Sequence, residues 1–196
     1  MTTAEKRRLT PAEYLAIEVA GERRHEYLAG EMFAMSGGSY WHNLVKDNLA
    51  HAIRNRLAGR GCTVLTSDQR IKVDATGLYT YPDVVVFCGK PVFEDGVHYS
   101  AINPLVLAEV LSDSTEKYDR GVKFGHYRQL PSVEEYLVLA QDRVSVERFR
   151  RQGAGDRGSW LLTAVADPAG LVEFESLGIA VPVAEIYAGV EFPAAG

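Results

Sequence analysis

Apolar positions along the chain follow two different periods. Val84-Val85-Val86-Phe87, opened by Pro82-Asp83, and Leu105-Val106-Leu107-Ala108-Glu109-Val110-Leu111 are apolar at almost every position, the pattern of strands buried on both faces. His42 to Leu57 instead spaces Val45, Leu49, Ala52, Ile53 and Leu57 for one face of a helix. Thr10-Pro11-Ala12-Glu13 is a capping box with proline at the first helical position, so a helix starts there and runs to about Val19. His25 to Met35 reads as two short strands around Ala29-Gly30, followed by a Gly37-Gly38-Ser39 loop. Cys62 to Val73 predicts another strand. Ser114 or Thr115 can cap a helix reaching about Leu130. Glu135 to Ala140 and Arg143 to Arg150 read as a hairpin around Gln141-Asp142. Trp160 to Val165 and Leu171 to Glu175 predict further strands, and Pro182 to Tyr187 a short helix. This order predicts an α/β or α+β fold with helices packed on a mixed sheet.

Each long apolar strand carries one acid. Leu105, Leu107, Glu109 and Leu111 project to one face of their strand, so Glu109 sits inside an apolar stripe. Burying a carboxylate is costly unless hydrogen bonds or a cation offset it. Asp83 and Glu109 are 26 residues apart, enough chain to leave one strand and return in its neighbour. Taken singly, each acid reads equally well as a strand-end carboxylate bonded to a nearby loop. Together, on adjoining strands, they would repel unless one kept its proton or a divalent cation lay between them. Oxygen ligands of this kind suit magnesium or manganese. Asp119, Lys123 and Tyr127 follow at i, i+4 and i+8 on the next predicted helix. An exposed ion pair is the plain reading of that spacing. The helix begins directly after the Glu109 strand, however, so its first turns can fold back over the strand end. A lysine placed there can stabilise charge developing at a phosphorus centre.

Composition narrows the class. A chain of 196 residues, 46% hydrophobic and 24% charged, is expected to form one domain with a substantial core. No apolar run approaches membrane-spanning length and no apolar stretch follows the basic residues of the N-terminus, so a cytoplasmic protein is expected, with no membrane partner. Cys62 and Cys88 lack CxxC or zinc-type spacing and are expected to be buried thiols rather than a disulfide. The net charge of −5 does not by itself point to nucleic acid. Three basic clusters stand out: Lys6, Arg7 and Arg8; Arg54, Arg56 and Arg60; Arg143, Arg148, Arg150 and Arg151. Each reads first as a solvated face. No GxSxG elbow, Walker loop or HExxH is present.

Pro82-Asp83, then Glu109-Val110-Leu111-Ser112, then Asp119 with Lys123 and Tyr127, then Glu135-Tyr136-Leu137-Val138 together resemble the Uma-two family of endonucleases. That family lies within the PD-(D/E)XK, or restriction-endonuclease-like, superfamily. Upstream, Glu26 to Met32, then Met35-Ser36 and His42, resemble its N-terminal signature. The resemblance covers about residues 10 to 165; strands and a short helix fill 166 to 196 of the same expected domain. It implies a mixed sheet flanked by helices. It further implies an Mg²⁺ (or Mn²⁺) site made by Asp83, Glu109 and the backbone carbonyl of Val110, hydrolysis of DNA phosphodiester bonds, and a homodimer. The superfamily's lysine would stand two residues after Glu109, where this chain has Leu111; Lys123 is the matching residue of the family. Lys72 and Gln69 are fallback candidates.

His42 is weighed first as a core or capping histidine and second as a phosphate contact. Glu26 can extend the acidic cluster. Tyr40 and Trp41 read as packing groups before a stacking platform. Two other functions remain open: a nuclease-like fold without catalysis that serves nucleic-acid binding or assembly, and a metal-dependent hydrolase of another phosphoester. The strand around Arg143 to Arg151 is expected to be an edge that a partner covers. Asp83→Ala is expected to leave the fold as stable or more so, because it removes carboxylate repulsion.

Overall fold

Thr10 opens the first helix as its sequence predicts. In the computed structural model, which describes residues 7–94, 99–112, 114–153 and 158–192, the Thr10 hydroxyl accepts from the Glu13 N–H. The Glu13 carboxylate accepts in return from the Thr10 N–H, closing the capping box of α1 (Pro11–Ala20). β1 (His25–Leu28) and β2 (Glu31–Ala34) form a hairpin. Ala29 and Gly30 turn it with φ of 51° and 91°, as a two-residue connection of this handedness requires. Ser39 caps α2 (Tyr40–Arg56), its hydroxyl accepting from the His42 N–H.

β3 (Cys62–Thr66), β4 (Arg70–Val73), β5 (Leu78–Thr80), β6 (Val84–Cys88), β7 (Ser100–Ala101) and β8 (Val106–Leu111) come next. A π-helical segment, Tyr118–Lys123, runs into α3 (Phe124–Tyr127). β9 (Glu135–Ala140), β10 (Val146–Gln152), β11 (Ser159–Val165), β12 (Leu171–Phe174), β13 (Ile179–Pro182) and α4 (Val183–Ile186) complete the described chain. The central sheet has the order β11-β10-β9-β8-β6-β3, parallel only between β8 and β9. A second sheet has the order β2-β1-β5-β4-β7, and β12 pairs with β13. The class is thus mixed α+β with helices on mixed sheets, as expected.

The central sheet is buried on both faces, which is why β6 and β8 read as unbroken apolar runs. Val84, Val86, Val106, Ala108 and Val110 pack on one side against Val45, Leu49 and Ile53 of α2 and against Val181 and Ile186. Val85, Phe87, Leu107 and Leu111 pack on the other against Ile71, Val73 and Leu78 of the second sheet and against Tyr127 and Leu130. Among the described residues no helix is long and apolar enough to cross a membrane.

Several expectations are corrected. The run from Cys62 to Val73 is two strands in different sheets, broken where Ser67 takes a left-handed φ of 42°. The predicted helix after Ser114 spans residues 116–127 and is π-helical over half its length. Cys62 and Cys88 form a disulfide rather than two buried thiols. They stand directly opposite in the β3–β6 register, and Cys88 is exposed. The strand around Arg143 to Arg151 is no edge, since β10 lies between β9 and β11; β11 is the edge. The described arginines of the basic clusters have protein partners, such as Glu13 for Arg7, Glu185 for Arg56 and Glu175 for Arg150. Lys6 lies outside the described residues.

Candidate active site

Strand register brings the two acids together. β6 and β8 pair antiparallel with Val84 opposite Ala108, so the next step sets Asp83 against Glu109. The Val110 N–H donates to Asp83 Oδ2 at 2.8 Å, and the Asp83 N–H lies 3.4 Å from Glu109 Oε2. Each carboxylate therefore reaches the other's strand. Glu109 is 4% exposed and shares the β8 face of Leu107 and Leu111, the alternation that its sequence predicts.

The π-helical segment leaves β8 and folds back over it. It carries Lys123 to 2.9 Å from both Glu109 Oε1 and Glu26 Oε1, with Asp119 Oδ1 at 3.7 Å. The Tyr127 hydroxyl donates to Glu109 Oε1 at 2.7 Å, and the Tyr136 hydroxyl to the Asp119 carbonyl at 3.0 Å. Glu26 arrives from the second sheet, where the Thr80 hydroxyl donates to it. His42, in the first turn of α2, places Nε2 3.1 Å from Asp83 Oδ2. A side chain on Gly38 would overlap the His42 ring, so the glycine there makes room for the imidazole.

Glu26, His42, Asp83, Glu109, Asp119 and Lys123 line one cleft of about 550 Å³, together with Lys46, Ser67, Val110 and Tyr118. Burial pushes the Glu109 carboxyl up to about 8, against a smaller lowering by Lys123; Asp83 and Asp119 add to the rise. Burial likewise raises Asp119. For Lys123 burial opposes the charge, but Glu109, Glu26 and Asp119 outweigh it and hold the ammonium protonated. For His42 burial is again the largest influence and lowers the pKa; the hydrogen bond and charge of Asp83 reverse it, and the net shift is upward. Burial raises Tyr118 to about 12.

Asp83, Glu109, Val110, Lys123, Glu26, His42, Asp119 and Tyr127 are therefore gathered in one place. Gln69 and Lys72 are not. Gln69 donates to the Arg70 and Tyr99 carbonyls, and Lys72 pairs with Asp74 and Glu94. Tyr40 and Trp41 pack on each other outside the cleft lining. Sequence reasoning missed Lys46 and Ser67. Lys46 falls one helical turn after His42, and that spacing is the signal that would have found it.

Among the described residues no three His, Cys, Asp or Glu side chains cluster as metal ligands. Asp83 and Glu109 still offer hard oxygen donors from neighbouring strands, and the described residues give Asp83 Oδ1 no hydrogen-bond donor. The donor set fits a magnesium-type ion completed by backbone, water or substrate oxygens.

The model of a family named Uma2 and described as "Putative restriction endonuclease" matches residues 11–184. The chain belongs to the Uma2 family. The match runs past Val165 through β12 and β13, further than the motifs alone reach. Two proteins of Synechocystis sp. (strain ATCC 27184 / PCC 6803 / Kazusa) are similar to this Uma2 chain. "Uncharacterized protein sll1609" is 35% identical over 91% of this chain and 99% of its own length. "Uncharacterized protein slr1290" is 35% identical over 94% of each. A crystal structure from Anabaena variabilis ATCC 29413, described as "a putative nuclease belonging to DUF820", superposes with a TM-score of 0.74 at 17% identity, covering 92% of this chain and 98% of that one. That likeness shows the fold.

Proposed function

We propose that this Uma2 chain is a Mg²⁺- or Mn²⁺-dependent endonuclease that hydrolyses DNA phosphodiester bonds in the cleft between β6, β8 and the π-helical segment. The observation that carries this reading is the opposition of Asp83 and Glu109 on adjacent strands, with the Lys123 ammonium 2.9 Å from Glu109. The family description and the nuclease-type fold support it.

Asp83 and Glu109 would hold the divalent ion, with the Val110 carbonyl as the third ligand that the resemblance implies. Such an ion supplies Lewis-acid polarisation of a phosphoryl oxygen and acidifies a water. The chain's own residues do the rest. The Tyr127 hydroxyl and the Lys123 ammonium both meet Glu109 Oε1, which fixes that carboxylate's rotamer. His42 and the Val110 N–H fix Asp83 in the same way. Lys123 holds a proton and a positive charge at the cleft floor, placed to stabilise charge on the scissile phosphate. It thereby takes the role of the lysine that would otherwise occupy position 111. Glu26 and Asp119 hold Lys123 in position.

One observation favours the second reading, a nuclease fold that binds nucleic acid or assembles without cutting. Lys123 already pairs with Glu109, one of the two acids a metal would bridge, and with Glu26. Calorimetric titration of Mg²⁺ and Mn²⁺ into the wild type and Glu109→Ala, with plasmid nicking on the same samples, separates them. Saturable binding and nicking, both lost in Glu109→Ala, are expected. Binding without nicking points to another phosphoester or to a partner-dependent enzyme. No binding by the wild type removes the metal-dependent reading.

A further inference from the structure

A strand of nucleic acid entering this cleft meets the carboxylates of Glu26, Asp83, Glu109 and Asp119, which repel phosphate. Lys123 is committed to three of these acids. Arg54 and Arg148, outside the cleft, are committed to the Val64 carbonyl and to Glu175. Lys46 differs. Its ammonium lies in the cleft against two neutral oxygens, Asn43 Oδ1 at 3.1 Å and Ser67 Oγ at 3.2 Å. Its nearest acid among the described residues is Asp47, at 3.9 Å on a side chain 68% exposed. The Lys46 side chain itself is 13% exposed, so its stem is already ordered and its head is aimed.

Ser67 strengthens the case. A serine at φ 42° is held in a strained backbone conformation, and such strain persists where surrounding structure enforces it. Here the Ser67 N–H donates to the Asp83 carbonyl at 3.2 Å. That bond ties the Lys46 contact to the segment presenting Asp83. Because the Ser67 oxygen accepts from Lys46, its own proton remains to be donated.

We propose that Lys46, with Ser67 and Asn43, forms a phosphate-binding subsite on the cleft wall that takes a backbone phosphate of nucleic acid beside Asp83 and Glu109. The inference rests on the nuclease reading and adds the contact that holds its polyanionic substrate. Lys46 acts as a point charge on a non-bridging oxygen, and the Ser67 hydroxyl completes the contact with the Asn43 amide proton that is not donated to the Gly38 carbonyl.

The test is fluorescence-anisotropy titration of a labelled oligonucleotide, single- and double-stranded, over a series of salt concentrations, with and without Ca²⁺. Wild type, Lys46→Met and Lys46→Arg are compared after their melting temperatures are matched. Lys46→Met is expected to weaken binding about tenfold and to lower the slope of log K against log salt by about one. Lys46→Arg should restore the slope. Wild-type binding with the same affinity and slope in Lys46→Met overturns the subsite alone. Weaker binding with an unchanged slope that arginine does not rescue also overturns it, since that is a packing effect. No binding by the wild type at any salt overturns the nuclease reading and the subsite with it.

Discussion

Glu109 and Lys123 set the behaviour of the cleft at the scale of residues, and their charges pull in opposite directions. Burial holds the Glu109 proton to about pH 8 in the folded chain, against an ordinary value of 4.5. The folded state therefore binds the extra proton between those values. Its stabilising effect is complete below 4.5 and is lost as pH climbs to about 8. The metal-free protein should melt at progressively lower temperature across that window. Glu109→Gln, which keeps an acceptor for Tyr127, should flatten the trend; an unchanged trend assigns the proton to another group. Lys123 gives a second expectation. Lys123→Met leaves Glu26, Glu109 and Asp119 without the ammonium they share. Removing one partner of a buried ion pair costs roughly 3–5 kcal/mol, to be read from urea unfolding above pH 8, where Glu109 is ionised. The loss should shrink in acid as the carboxyls protonate, whereas a loss independent of pH would mean that Lys123 matters for packing alone.

Among the elements, β6 and β8 are stitched at the site by a side chain. Asp83 Oδ2 takes the Val110 N–H, which reverses the expectation that Asp83→Ala leaves the fold as stable or more so. Alanine strands that N–H at a buried residue, at a cost of about 1–3 kcal/mol. Asp83→Asn keeps a carbonyl acceptor and should recover most of that cost while still losing divalent-ion binding, which calorimetry checks. Equal stability of Asp83→Ala and wild type would restore the repulsion argument. The same strands show what the sequence makes legible. Continuous apolar runs identify β6 and β8, and their acids identify the site, because burial on both faces leaves a polar residue conspicuous. β5 and β7 are too short to show a period, with Leu78–Thr80 and Ser100–Ala101 spanning three and two residues. The break at Ser67 is set by contact with Asp83 rather than by a glycine or proline, so no local signal marks it. The π-helical segment carries no sequence signature either, yet i, i+4 spacing still brings Asp119 and Lys123 together. A Cβ at Gly125 of α3 meets nothing within 4 Å. Gly125→Ala should therefore raise stability by about 0.5–1 kcal/mol with the cleft unchanged, measurable by denaturant unfolding.

Across the whole molecule, stability and site chemistry are held at opposite ends of one strand pair. β3 is an edge of the central sheet and pairs only with β6 there. At one end of the pair Thr66 stands opposite Val84, next to Asp83; at the other, Cys62 stands opposite Cys88 and is bonded to it. Spacing alone could not reveal that bond, since the register that juxtaposes two cysteines 26 residues apart exists only once β3 has found β6. The bond clamps an edge strand and closes a loop that contains β4, β5 and the Asp83 turn. Cross-linking a loop of this size restricts the unfolded chain by roughly 3 kcal/mol. Four residue steps along β6 separate Cys88 from Val84, about 14 Å along an extended strand, and the acids depend on the β6–β8 register rather than on β3. Reduction, or Cys62→Ser with Cys88→Ser, should therefore lower the unfolding midpoint while leaving Mn²⁺ affinity where it was. Loss of Mn²⁺ binding on reduction in a chain that is still folded by circular dichroism would show instead that the clamp reaches the cleft and that the two ends of the strand pair act as one unit.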